Sequence, residues 1–194
     1  MRMIKWLIVL TLLLCGTAFA DNTGEQDPAS SAQEASPGTA WTNIDSVFAS
    51  DNQRASYIGT TADSLYITNF TMGVTAGATI DSIWVTLEAQ GSASQSNRRR
   101  FKVFLTKDGT NDVGESVNFS HAQNTDDVIR LTGATTPLWN TTWTAAEVNA
   151  TTFGIVLWKS ASQAGTLLLD HVTLYGAVTV GGPAGVGQII MLEG

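Results

Sequence analysis

The sequence predicts an all-β fold, an antiparallel β-sandwich or jelly roll of about eight or nine strands with one short connector helix. Three observations support this prediction. Short apolar segments recur between turns rich in Gly, Asn and Ser, two of these segments alternate between apolar and polar residues, and a single stretch carries a helix-start signal. A closed barrel is the alternative architecture, and the lack of an internal sequence repeat argues against a solenoid or propeller.

The alternation is clearest in two neighbouring segments, Thr79–Gln90 and Arg98–Thr106. In the first segment, the apolar residues Ile83, Val85 and Leu87 occupy every second position, so the residues between them belong to the opposite face of a strand. A period of two is typical of a strand with one face in a core and one face outside. The polar stretch between the segments resembles the loops that join antiparallel neighbours. We therefore expect the two segments to pair as a central hairpin.

Other strand signals precede and follow this pair. They cover residues 47–49, 55–58, 64–70, 116–120, 128–132, 152–160 and 166–180. Lys107–Asn111, with Asp-Gly at its centre, predicts a tight turn. Thr144 and Glu147 are spaced as a capping box, so a helix of about one turn is expected to begin there and to end at Asn149.

The first twenty residues predict a secretory signal peptide. Arg2 and Lys5 precede the apolar run 6–14, and small residues lead to a cleavage site after Ala20. A lipoprotein signal with Cys15 as the lipidated residue is the alternative. The apolar run is too short to span a bilayer, and no second long run follows. We therefore expect a secreted product, extracellular or periplasmic, without a membrane span.

Removal of this peptide limits the available chemistry. The single cysteine, Cys15, leaves with it, which excludes disulfides, a thiolate nucleophile and cysteine metal sites. Arg2 and Lys5 also leave, so the net charge falls from −7 to −9. A net-acidic surface disfavours nucleic acid as a partner. The remaining chain is long enough to fold around its own core without covalent cross-links.

The predicted organisation has four parts: the signal peptide 1–20, a flexible linker 21–40, the β-sandwich 41–180, and a Gly-rich hinge with a C-terminal strand, 181–194. The linker contains no large apolar residue, so it buries too little surface to offset its ordering entropy. The residues of the candidate assembly strand are Gln188, Ile189, Ile190, Met191 and Leu192. This strand either docks on an edge of its own domain or exchanges with a neighbouring subunit.

A series of strand and turn motifs within residues 41–178 carries a resemblance to known proteins. The motifs are Ser64–Phe70, Gly77–Val85, Leu138–Asn140, Trp143–Asn149, Phe153–Ile155 and Leu169–Leu174. This order is similar to β-sandwich modules of bacteriophage virion and tail-associated proteins and of secreted bacterial surface proteins. The resemblance implies a structural or adhesive role, with self-association or a surface partner and no catalytic residues. The signal peptide departs from a typical virion protein and favours a bacterial surface product.

Few residues fit a catalytic function. His121 and His171 are the only histidines, and the sequence contains no G-x-S-x-G elbow. Asp170 and His171 are neighbours in a predicted strand, so their side chains point to opposite faces and cannot form a triad pair. Glycosidase chemistry needs two carboxylates that face a cleft, and the spacing of the acids brings no two together. We predict that the protein is not an enzyme and that Asp170 bonds a turn.

One acidic loop is a candidate calcium site. Its oxygen-bearing side chains are Asp108, Asn111, Asp112 and Glu115. Calcium favours such ligands, although their spacing does not match an EF-hand. A solvated polar loop is the alternative, and no other cofactor is expected.

Two tryptophan residues indicate an alternative function. Trp84 and Trp158 are out of phase with the core-facing residues beside them, so both are candidates for an exposed sheet face. An exposed row of indole rings would stack on sugar rings, as in carbohydrate-binding modules. The competing interpretation places the two rings in the packed interior. The predicted function is therefore a secreted structural or adhesive β-sandwich protein, and the alternative is a carbohydrate-binding module with a glycan as partner.

Overall fold

The computed structural model describes residues 19–33, 41–59, 62–91, 101–119, 125–159 and 165–181. These residues form ten strands, a 3-10 helix at Ile44–Val47 and one α-helix, α1, at Ala145–Val148. The strands are β1 Phe19–Asn22, β2 Ser30–Gln33, β3 Ala55–Gly59, β4 Asp63–Thr68, β5 Thr79–Gly91, β6 Phe101–Thr106, β7 Asp112–Phe119, β8 Asp127–Leu131, β9 Gly154–Lys159 and β10 Gly165–Val180.

The strands form two antiparallel sheets, which confirms the predicted all-β class. The first sheet has the order β1-β10-β5-β8, and β3 pairs with the same edge of β10 as β1 does. The second sheet has the order β2-β4-β9-β6-β7. Two antiparallel sheets with a shared apolar interior are a β-sandwich.

The core lies between the two sheets and follows the alternation in the sequence. Ile83, Val85 and Leu87 of β5 are fully buried, and they face Phe101 and Leu105 from the other sheet across the interior. Each aliphatic side chain removed from water contributes about 1.5–3 kcal/mol to folding. The core-facing phase that the sequence predicts for β5 and β6 is therefore confirmed.

The predicted central hairpin is wrong. β5 pairs with β10 and β8 in the first sheet, whereas β6 pairs with β7 and β9 in the second. The apolar faces of β5 and β6 point toward each other across the core. Residues 92–100 therefore connect the two sheets and do not join neighbouring strands of one sheet. Alternation fixes which face of a strand is buried, but it does not specify the pairing partner.

Local signals within single elements are confirmed. β6 and β7 form a hairpin around the turn 107–111, where Gly109 takes a positive φ of 74°. Helix α1 has the full capping box, since the Thr144 side chain accepts from the Glu147 N–H and the Glu147 carboxylate accepts from the Thr144 N–H. Asn149 is its C-cap, as predicted.

The strand predicted at 47–49 is not observed. Ile44–Val47 form a 3-10 helix, and Phe48 makes one isolated bridge to His171. Val47 is buried as its apolar character requires, but a single turn of 3-10 helix presents it to the core.

Residues 21–33, predicted as part of a flexible linker, are paired with the sandwich. Asp21 and Asn22 lie in β1 against β10, and Ser30–Gln33 form β2 against β4. Backbone hydrogen bonds to a sheet edge do not require large apolar side chains, which explains why composition predicted otherwise. The predicted cleavage site after Ala20 falls inside β1.

Several predictions concern residues outside the described part of the chain. These are residues 1–18 of the signal peptide, residues 34–40 of the linker, and the C-terminal strand Gln188–Leu192. Among the described residues, the helices are single turns, and none has the length and apolar character that a bilayer crossing requires.

Candidate functional site

The outer face of the first sheet carries two aromatic side chains side by side. Trp84 on β5 lies directly opposite Tyr175 on β10, and the flanking residues Val85 and Leu174 point into the core. Trp84 is 36% exposed, which is high for the largest apolar side chain in a central strand. The pair therefore forms a solvent-facing aromatic platform.

The platform is the floor of a groove with a volume of about 500 Å³. The side chains that line the groove are Glu25, Trp84, Thr86, Arg130, Tyr175 and Ala177. Ligand sites are commonly concave, largely apolar and supplied with a few polar groups that fix orientation. The groove has this character, with two aromatic rings, a hydroxyl, a guanidinium and a carboxylate.

One rim of the groove is an ion pair that crosses the sheet. Arg130 lies on β8 opposite Thr86, and its Nη2 is 2.9 Å from Oε1 of Glu25. Glu25 belongs to the segment on the far side of β10, where Gln26 pairs with Leu174. The two side chains thus approach each other over β5 and β10, from backbones about three strand spacings, roughly 14 Å, apart.

The segment that carries Glu25 is attached to β10 at several points. Gln26 and Leu174 exchange two backbone hydrogen bonds of 2.8 and 3.0 Å, and the Thr23 N–H donates to the Gly176 carbonyl. Asp27 Oδ1 lies 2.9 Å from Nε2 of His171. Glu25 is therefore held beside the platform by the strand pairing on both sides of it.

Hydrogen bonds fix the indole of Trp84 and the backbone beneath it. The Trp84 Nε1–H donates to Ser82 Oγ at 3.1 Å, which sets the orientation of the ring. The preceding residue, Ile83, donates its N–H to the Pro137 carbonyl and accepts from the buried indole N–H of Trp139. The platform is consequently preorganised by the strand and by the loop beside it.

A buried hydroxyl lies next to the groove without a partner. Thr173 is opposite Thr86 in the same cross-strand row and is only 5% exposed. Within the described chain its Oγ1 makes no hydrogen bond. Leaving a buried hydroxyl unpaired costs about 1–3 kcal/mol, so such groups are usually explained by function or by a bound molecule.

The second predicted tryptophan does not join the first. Trp158 lies on β9 in the other sheet, so the predicted row of indoles is not formed. The Lys102 ammonium lies 5.2 Å from the centroid of its ring and covers part of the aromatic face. Trp84 is thus exposed on a groove, whereas Trp158 is half-buried and stacked under a cation.

The carboxylate of Asp108, one of the predicted calcium ligands, is occupied by hydrogen bonds within its own turn. Asp108 Oδ1 accepts from the N–H groups of Thr110 and Asn111, and Oδ2 accepts from the Asn111 side chain. These bonds, the one from the Asn111 side chain first, hold the pKa of Asp108 far below its usual range. The carboxylate therefore closes the β6–β7 turn.

The Glu115 carboxylate binds the backbone of a different loop. Its carboxylate accepts from the N–H groups of Thr135 and Thr136, and hydrogen bonds from Thr135 hold its pKa below the usual range. Asp108, Asp112 and Glu115 are not gathered around a common point, and no cluster of three or more acidic, histidine or cysteine side chains in the described ranges is arranged to hold a metal. We do not propose a calcium site here.

Asp170 and His171 do not form a catalytic pair. A β-bulge falls between Leu169 and His171, and it leaves Asp170 as the extra residue in β10. Asp170 is buried, and its Oδ2 accepts from the Asn52 N–H of a turn, as the sequence predicted. Burial raises the pKa of Asp170, and the nearby Glu88 carboxylate adds to this shift. His171 bonds Asp27 instead.

A second cavity, of about 400 Å³, lies beside Trp143 at the start of α1. The indole N–H of Trp143 already donates to the Leu138 carbonyl, and the Thr144 hydroxyl belongs to the capping box. The Trp143 indole N–H and the Thr144 hydroxyl are therefore already used by the fold.

Sequence reasoning found Trp84 but missed the rest of the groove. Tyr175, Arg130 and Glu25 come from three other parts of the chain and share no motif with Trp84. The alternation of β10 could have indicated that Tyr175 faces outward, but no sequence signal places it opposite Trp84. The predicted assembly strand, Gln188–Leu192, lies outside the described residues.

Comparisons with protein-family models and with curated proteins give no match. Among solved structures, the chain is similar to a histidine mutant of the lectin binding domain of Lectinolysin complexed with Lewis b, with a TM-score of 0.39 and 11% identity over 80% of this chain and 95% of that chain. It is also similar to CBM32-1 from a family 31 glycoside hydrolase from Clostridium perfringens, with a TM-score of 0.40 and 13% identity over 77% and 96%. The predicted resemblance to bacteriophage modules stays a prediction.

Proposed function

We propose that the protein is a carbohydrate-binding module whose ligand lies in the groove on the outer face of the first sheet. The observation that supports this proposal is the exposed Trp84–Tyr175 platform, flanked by the Arg130–Glu25 pair. A pyranose ring has an apolar C–H face and a rim of hydroxyl groups. The platform matches the face, and the guanidinium and carboxylate match the rim.

The composition of the groove favours a sugar over other ligands. The paired charges of Glu25 and Arg130 leave no excess charge in the groove, and the whole chain is acidic, which disfavours a polyanion such as nucleic acid. Trp and Tyr combine a large apolar surface with low conformational entropy, so ordering them on a ligand costs little. A neutral, hydroxyl-rich ring is the ligand class that fits these groups.

We further propose that the module binds without turnover and acts outside the cell. The groove is lined by a single carboxylate, Glu25, whereas hydrolysis of a glycoside uses two. The predicted signal peptide would export the chain, and glycan binding would then serve attachment to a cell or polymer surface. Adhesion, the first function predicted from the sequence, would in this way act through the groove.

Self-association through the C-terminal strand is a separate proposal that rests on the sequence alone. The apolar strand 188–192 follows a Gly-rich hinge, and such a strand forms exchanged contacts when it does not pair within its own chain. Sedimentation of the full chain and of a chain that ends at Gly181 tests it. Identical masses per particle for both chains would contradict strand exchange.

The function is tested with the two tryptophans as a matched pair. Affinity electrophoresis and a glycan array are run with the wild type, Trp84→Ala, Tyr175→Ala and Trp158→Ala. We expect Trp84→Ala and Tyr175→Ala to lose at least about tenfold in glycan affinity, because each removes half of the platform. Trp158→Ala should bind like the wild type. A wild type that binds no glycan, or a loss confined to Trp158→Ala, would contradict the proposal.

A further inference from the structure

The ion pair at the rim of the groove contributes little to folding. The Arg130 and Glu25 side chains are 66% and 50% exposed, and their contact is a single 2.9 Å hydrogen bond. Exposed pairs of this kind contribute about 0–1 kcal/mol, and ordering two long side chains offsets part of that gain. Folding stability therefore does not explain why the Arg130 and Glu25 side chains meet across β5 and β10.

Among the described residues, this contact uses only a small part of the hydrogen-bonding capacity of Arg130 and Glu25. Arg130 uses one N–H of Nη2, while a guanidinium has five such donors. Glu25 accepts at Oε1, which leaves Oε2 and the remaining lone pairs open. The Arg54–Asp126 pair differs, because there Nη2 contacts both carboxylate oxygens. The groove thus presents a donor and an acceptor side by side.

Their position relative to the platform defines what they can recognise. Gln26 pairs with Leu174, which puts Glu25 beside the row of Tyr175 and Trp84, and Arg130 begins the next row with Thr86. A ring stacked on Trp84 would therefore turn one edge toward both charged groups. Two adjacent hydroxyls on that edge could donate to the carboxylate and accept from the guanidinium, in charge-assisted hydrogen bonds.

We propose that Glu25 and Arg130 restrict the groove to neutral glycans that present a free vicinal diol, an inference that rests on the proposed carbohydrate-binding function. An acidic sugar could reach Arg130 only by displacing Glu25 or by placing a second carboxylate on the same guanidinium, on a chain whose net charge is −9 once the predicted signal peptide has left. Like charges at an interface are costly, so the carboxylate of Glu25 selects against acidic sugars.

The experiment compares the full chain with Glu25→Gln, Arg130→Gln and Trp84→Ala, and Asp126→Asn is the control that removes a surface ion pair outside the groove. The probes are soluble neutral glucans, galactans, mannans and xylans, the same polymers after periodate cleavage of their vicinal diols, and polygalacturonate, alginate and hyaluronate. Thermal denaturation of every variant confirms that it folds, which is expected because both rim side chains are exposed.

We expect binding to at least one neutral polymer, with little change between ~0.05 M and ~0.5 M salt because the ligand is uncharged. Glu25→Gln and Arg130→Gln should each lower glycan affinity about tenfold, which corresponds to about 1.4 kcal/mol of binding free energy. Asp126→Asn should bind as tightly as the wild type. Periodate treatment should remove binding by the wild type.

Four results would overturn the inference. Preference for a uronate polymer would remove the selection for neutral glycans. Affinity unchanged in Glu25→Gln and Arg130→Gln while Trp84→Ala loses it would remove the diol specificity. Both results would leave the sugar groove in place. Undiminished binding to the periodate-treated polymer would do the same. Absence of binding to every polymer would remove the proposed function, and the diol specificity with it.

Discussion

Trp139 and Ile83 are joined by a hydrogen bond from a buried indole N–H to a backbone carbonyl, with 2.9 Å between Nε1 and O. The N–H of Ile83 donates in turn to the Pro137 carbonyl at 3.0 Å. The loop that follows β8 therefore continues the pairing of β5 beyond the end of its neighbouring strand. Because Trp84 is the next residue, this contact fixes the backbone beneath the platform.

Replacement of Trp139 by Phe is expected to lower the free energy of unfolding by about 1–3 kcal/mol, because the Ile83 carbonyl loses its partner in a buried place. Glycan affinity should fall as well, since the backbone before Trp84 is less firmly held. Urea denaturation and affinity electrophoresis measure the two effects. The control is Trp158→Phe, which keeps an aromatic ring under Lys102 and should cost less than about 1 kcal/mol. Equal stability of Trp139→Phe and the wild type would contradict the assigned role.

Replacement of Asp170 by Asn is expected to stabilise the protein at neutral and alkaline pH. Burial raises the pKa of Asp170, so the folded state holds this proton more tightly than the unfolded chain does. Its favourable contribution is present below the ordinary aspartate pKa and is lost as the pH rises through the folded value. Asn stays neutral and keeps an acceptor for the Asn52 N–H.

Thermal denaturation between pH 3 and pH 8, at roughly unit steps, tests this expectation. The melting temperature of Asp170→Asn should exceed that of the wild type at the high end, and the difference should shrink toward the low end. If the wild type is more stable than Asp170→Asn at pH 8, the buried Asp170 carboxylate does not destabilise the fold and the expectation is wrong.

Replacement of Glu115 by Gln is expected to have the opposite pH dependence. Hydrogen bonds from Thr135 hold the pKa of Glu115 below its ordinary value, so its contribution to stability is present above that value and is lost as the pH falls. Glu115→Gln should therefore be less stable than the wild type at pH 7, and the difference should shrink as the pH falls below the ordinary glutamate pKa. Calcium added to the wild type should leave the melting temperature unchanged, and a calcium-dependent rise that Glu115→Gln abolishes would restore the metal site.

Removal of residues 21–29 is expected to weaken both fold and groove. The segment supplies Glu25 and the two Gln26–Leu174 hydrogen bonds, so a chain that begins at Ser30 should lose about 1–3 kcal/mol of stability relative to one that begins at Asp21. Glycan affinity should fall at least as far as in Glu25→Gln, which keeps the segment and is the matched control. Equal stability and affinity of the two chains would show that the segment is the linker that composition suggested.

The sequence by itself determined which residues of β5 and β6 face the core. Alternation in β5 and β6, the Asp-Gly turn at 107–111 and the capping box of Thr144 and Glu147 are all local patterns. Each depends on residues within a few positions of one another, where backbone geometry leaves few choices. The same local pattern put Trp84 out of phase with the core-facing residues, but it left open whether the ring is exposed or packed in the interior.

Tertiary structure alone decided the partners. β5 pairs with β10, about 90 residues further along the chain, and this pairing puts Tyr175 beside Trp84. The bulge at Asp170 keeps Leu169 and Val172 both in the core, and pairing along the β10 edge brings Glu25 to Arg130. Strand pairing and register are set by the fit of two whole sheets around one interior, a global condition that no short stretch of residues encodes.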